Sequence, residues 1–100
     1  LSGETMPRSV RQRLDFHRGR VALLTGDPST AVTLLRRAVA SYETTYDPDH
    51  PELLEVRAAL LRALRAADAR AEADTLAAEL TRSYAALGPA FAREAAALAP

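Results

Sequence analysis

The stretch Tyr46-Asp47-Pro48-Asp49-His50-Pro51-Glu52 is the point from which the fold can be read. Its two prolines lack the backbone N–H that a helix interior needs, and each pushes the residue before it out of helical geometry. No helix passes through this stretch. Upstream of it, Ala31, Leu34, Leu35, Ala38, Val39 and Tyr42 recur at three- and four-residue spacing, which predicts a helix reaching to about Thr45. Downstream, Pro51 is suited to the first helical position, with Glu52 in the first turn where the helix dipole favours an anion. The helix it opens carries Leu53, Leu54, Leu60, Leu61 and Leu64 on its apolar face.

The same reading extends outward in both directions. Gly26-Asp27-Pro28 stops one helix and starts the next. Gly26 permits a left-handed exit, Asp27 is an N-cap acceptor, and Pro28 is pre-set for the first helical position. Before that turn, a helix opening at Pro7 carries Val10, Leu14, His17, Val21 and Leu24 as a one-sided stripe. Toward the other end a weaker break falls at Asp68. A fourth helix follows with Ala73, Leu76, Ala77, Leu80, Tyr84 and Leu87, and Gly88-Pro89 closes it. The stretch from Phe91 to Leu98 is long enough for a short fifth helix.

Composition agrees. The 100 residues make one small domain. There are 22 Ala and 15 Leu, and all 13 basic residues are Arg; these are strong helix formers, so the class expected is all-α. A GC-rich coding bias accounts for much of the Arg-for-Lys usage. The formal net charge is zero, which speaks against a nucleic-acid binder. Without cysteine there is no disulfide, thiolate metal site or cysteine nucleophile. No apolar run approaches the ~18 residues of a membrane span, and no signal-peptide pattern opens the chain. A cytoplasmic location is expected, and the start at Leu1 rather than Met suggests a piece of a longer protein.

Two helix pairs invite a test for internal repetition. At an offset of 42, Ala31 falls on Ala73, Leu34 on Leu76, Ser41 on Ser83, Tyr42 on Tyr84, Gly26 on Asp68 and Ala22 on Leu64. A unit of two helices leaves an apolar face that a neighbouring unit covers.

On these residues the chain resembles the tetratricopeptide repeat (TPR) family, in its 42-residue kinesin-light-chain-like bacterial variety. Gly19, Gly26-Asp27, Ala31, Leu35 and Ala38 follow the family's small-residue spacing. The connector from Tyr46 to Glu52 is similar to the family's Leu-Gly-x-Asp-His-Pro-Asp, and Leu87-Gly88-Pro89 looks like the start of the same connector. The chain departs from the pattern at Tyr46, Asp47, Pro28, Arg70, Leu61 and Asp68. The resemblance implies antiparallel helix hairpins stacked as a short right-handed solenoid: repeat one at about 8–48, repeat two at about 49–88 and a cap helix at about 89–98. It further implies a protein–protein interaction or scaffolding module, the C-terminal part of a bacterial signalling or regulatory protein. The first helix of each repeat would line a concave groove. The groove positions carried over are Arg13, Phe16, His17, Arg20 and Leu23, then Glu55, Ala58, Ala59, Arg62 and Arg65.

Charge points the same way. Residues 1–40 hold seven Arg against Glu4, Asp15 and Asp27, whereas residues 41–56 hold five acids and no Arg. Arg binds carboxylates and phosphates bidentately, so Arg13, Arg20, Arg62 and Arg65 favour an acidic protein or peptide, with Phe16 and Leu23 as apolar anchors. The rival reading is a docking or self-association domain with no free ligand. A third places a metal or acid–base site at Asp47, Asp49 and His50, but three or four converging ligands would be needed. No nucleophile elbow or glycine-rich phosphate loop is present. No enzyme activity, cofactor or metal is expected.

Overall fold

In the computed structural model, which describes residues 6–100, the chain is helical, and no strand occurs among the described residues. The elements are α1 (Arg8–Leu24), α2 (Pro28–Glu43), α3 (Pro51–Ala66), α4 (Arg70–Leu87), a 3₁₀ turn at Pro89–Phe91, and α5 (Ala92–Ala96). Each packs on the next in chain order, and α1 also touches α3.

The punctuation falls where the residues place it. Gly26 takes a left-handed φ of 85°, and Asp27 caps α2 by accepting the Thr30 N–H at 3.3 Å. Those bonds hold the Asp27 carboxyl below its ordinary pKa. In the second unit Asp68 stands in for the glycine with φ 62°, a region that Asp tolerates better than most residues. The two turns share one hydrogen-bond pattern. Asp27 N–H donates to Ala22 O and Ala69 N–H to Leu64 O, both at 2.9 Å. Gly26 N–H donates to Leu23 O at 3.2 Å and Asp68 N–H to Arg65 O at 3.1 Å. Each position lies 42 residues from its counterpart.

Contacts across α1 and α2 run in opposite senses along the chain, so the pair is antiparallel. Near one end Gln12 donates to Ser41 O at 2.9 Å and Thr45 Oγ1 at 2.7 Å; further along, Asp15 lies 3.8 Å from Arg37. At Gly19 the helices meet closely: an added Cβ would stand 2.6 Å from Leu35 Cγ. The second hairpin carries Leu61 and Ala77 at the matching positions, so the large residue has moved to the other helix. Its ion pair, Arg57–Glu79 at 2.6 Å, matches Asp15–Arg37 with the charges exchanged.

The main core joins Ala31 and Leu35 to Leu54, Leu61, Leu64, Ala73, Leu80 and Tyr84. Fully burying each such leucine is worth ~1.5–3 kcal/mol. A smaller cluster holds Ala38, Tyr42, Leu53 and Val56. Tyr42 thus lies in this smaller cluster and Leu76 in the main one. Helix α3 contributes to both clusters: Val56, Ala59 and Ala63 are buried as well as the five leucines expected, as befits a helix apolar on most sides. Phe91 stacks on Tyr84 with centroids 6.0 Å apart, and Leu98 is buried, which seats the C-terminal segment.

Helix α1 departs from the sequence reading. Its buried residues are Gln12, Asp15 and Gly19, with Phe16, Ala22 and Leu23 packed at the core edge. The stripe of Val10, Leu14, His17, Val21 and Leu24 faces away from the body: Val10 and Val21 are each 42% exposed and Leu24 85%. At 100° per residue its centre lies almost opposite Gly19. Polar groups can form the inner face here because Ser41, Thr45 and Arg37 supply their partners.

Candidate interaction surface

Helices α1 and α3 meet at a hollow of about 150 Å³ lined by Arg20, Leu23, Leu24, Ala59 and Arg62. It therefore brings together Arg20, Leu23, Ala59 and Arg62 of the expected groove residues. Arg20 is held by its neighbour one turn back, its guanidinium carbon 5.3 Å from the centre of the Phe16 ring. Such stacking is worth about 0.5–1 kcal/mol at an exposed site and presents the flat ion in a set orientation. Phe16 in turn stands edge-on to Tyr42, centroids 6.1 Å apart at 79°. Leu23 packs against the main core and offers its remaining surface to the hollow.

Arg13, His17 and Arg65 do not line this hollow. Arg13 and His17 are exposed on α1. Burial pushes the Tyr42 phenol up, and the Arg13 charge opposes that shift. Arg65 sits apart from the Arg20–Arg62 pair: it lies 3.5 Å from Ala99 O and lines a separate hollow with Asp74 and Leu98. Among the described residues the side-chain ion pairs are Arg36–Glu72, Asp15–Arg37, Arg57–Glu79 and Asp68–Arg70, which leaves Arg20 and Arg62 unpaired within that set.

Beyond Arg62 the charge changes sign. Glu55, Ala58, Arg62, Tyr84, Glu94 and Leu98 border one hollow, which adjoins another of about 260 Å³ lined by Pro51, Glu52, Glu55, Tyr84, Phe91 and Glu94. Burial pushes the Tyr84 phenol up, with the Glu94 and Glu55 charges adding to it. Sequence alignment placed Glu55 on this surface. Glu94 and Tyr84 were not anticipated, because where the C-terminal segment folds back is set by Phe91 meeting Tyr84 and not by any local pattern.

The connector works as a helix start. His50 Nδ1 accepts the Glu52 N–H at 3.1 Å. Its ring lies 4.4 Å from that of Tyr46, which stacks at 5.6 Å on Tyr42. Among the described residues no group of three His, Asp or Glu side chains is placed to hold a metal ion. No helix there is long and apolar enough to cross a membrane.

Compared with protein-family models, with curated proteins and with solved structures, the chain matches none.

Proposed function

We propose that the chain is a TPR-like protein-interaction module. In this reading two hairpins and a cap helix stack as a short right-handed solenoid, and a concave face holds an extended acidic segment of a partner. The observation that carries the proposal is that Arg20 of α1 and Arg62 of α3 line one hollow together with the apolar Leu23, Leu24 and Ala59. Two guanidinium groups at one hollow suit a carboxylate, and Leu23 with Phe16 offers contact area for an apolar neighbour on the same peptide. The acidic border of Glu52, Glu55 and Glu94 would repel a uniformly acidic chain. It thereby limits the acidic stretch to the α1–α3 side. We place the module in a cytoplasmic bacterial signalling or regulatory protein, as the resemblance implies.

The experiment compares binding with folding. Arg20→Glu and Arg62→Glu each reverse an exposed charge. Each should weaken binding of an acidic peptide severalfold or more while leaving Tm nearly unchanged. Equal affinity for wild type and both variants would reject the groove.

A further inference from the structure

The outward face of α1 has the pattern of a helix-pairing seam. Val10, Leu14, His17, Val21 and Leu24 follow the alternating four- and three-residue spacing of a heptad repeat. They are exposed or half-buried, and none belongs to either core cluster. In that register Arg11 and Arg18 flank one side and Arg13 and Arg20 the other, all exposed. Every flanking position over two heptads is therefore cationic.

We infer that this face docks an amphipathic helix of a separate partner protein, with apolar residues on its seam and Asp or Glu on both flanks. The flanking charges select the occupant. Parallel helices oppose the two kinds of flanking position and antiparallel helices oppose like kinds. A second α1 would thus set Arg against Arg in either orientation, and acidic flanks satisfy all four. The face also has no Trp, Tyr or Phe, the anchors that an interfacial membrane helix uses. Its apolar stripe is one residue wide at each turn, which fits a single helix better than a lipid surface. Arg13, His17, Arg20 and Leu24 are shared between this seam and the groove, but Val10 and Val21 belong to the seam alone.

The test uses a synthetic peptide of about three heptads with Leu on the seam and Glu on both flanks, and a twin with Lys on the flanks. Binding is followed by fluorescence anisotropy at low salt. The Glu peptide should bind the intact chain at least about tenfold more tightly than the Lys peptide. Val10→Asp and Val21→Asp should each weaken it about tenfold, with the helical circular dichroism of the chain retained, and Arg62→Glu should leave it unchanged. The inference is overturned if both peptides bind alike or not at all, or if Arg62→Glu abolishes binding and Val21→Asp does not. It is equally overturned if the chain sediments as a dimer that Val21→Asp splits, or if phosphatidylglycerol vesicles bind and the Glu peptide does not.

Discussion

Replacing Gly19 by Ala adds one methyl group where α1 and α2 cross closely. Its carbon would lie 2.6 Å from Leu35 Cγ and 2.7 Å from Leu35 Cδ2. Carbons in ordinary contact stand about 3.5–4.0 Å apart, so Leu35 must withdraw by about 1 Å. Leu35 has no exposed surface and cannot swing into solvent. Overpacking of this kind costs about 1–3 kcal/mol. Ala is better than Gly inside a helix by about 1 kcal/mol, so a net loss of about 0–2 kcal/mol is expected. The decisive comparison is a double-mutant cycle. Leu35→Ala alone should cost about 2–5 kcal/mol, but it removes the atoms in the way. In that background Gly19→Ala should stabilise by about 1 kcal/mol. All four proteins can be unfolded in urea at one sucrose concentration, which supports the weakest of them, with midpoints read from the helical signal. The same effect of Gly19→Ala in both backgrounds would refute the close crossing.

Four further outcomes are expected. Ala31→Leu, at a position with no exposed surface, should destabilise by about 1–3 kcal/mol in urea unfolding. Gln12→Ala removes the two bonds to Ser41 and Thr45 and should lower stability by about 0.5–1.5 kcal/mol by the same measurement. Asp68→Gly relieves a left-handed backbone and should raise Tm slightly, whereas Asp68→Val should lower it. Hydrogen bonds from Arg36 hold the Glu72 carboxyl below its ordinary 4.5, and those from Thr30 hold Asp27 below 3.8. Folded values below the unfolded ones stabilise the protein above that range, and the contribution disappears as pH falls through the folded values. Urea midpoints should therefore drop in acid, and less steeply in the double variant Glu72→Gln with Asp27→Asn.

The helix boundaries were legible because they depend on single residues with few conformational options: Gly26, Pro28, Pro48, Pro51 and Gly88. The repeat was legible at Ala31 and Ala73 or Tyr42 and Tyr84, where both hairpins bury the same kind of side chain. Helix α1 was misread for a physical reason. Periodicity finds an apolar stripe but cannot say what covers it, and here the inner face is made by Gln12, Asp15 and Gly19, whose fitness depends on partners 16 to 33 residues away. The same limit applies at the candidate site. Arg20 and Arg62 were expected on one surface because the family resemblance implies a groove lined by the first helix of each repeat, while the acidic border depends on how α5 returns to Tyr84.

The most direct test of the interaction surface is a titration followed by backbone amide chemical shifts, using an extended peptide that alternates Glu with Leu. Shifts should group on Arg20, Leu23, Ala59 and Arg62 and vanish in the Arg62→Glu variant. Shifts grouped elsewhere, or unchanged by that substitution, would contradict the interaction surface.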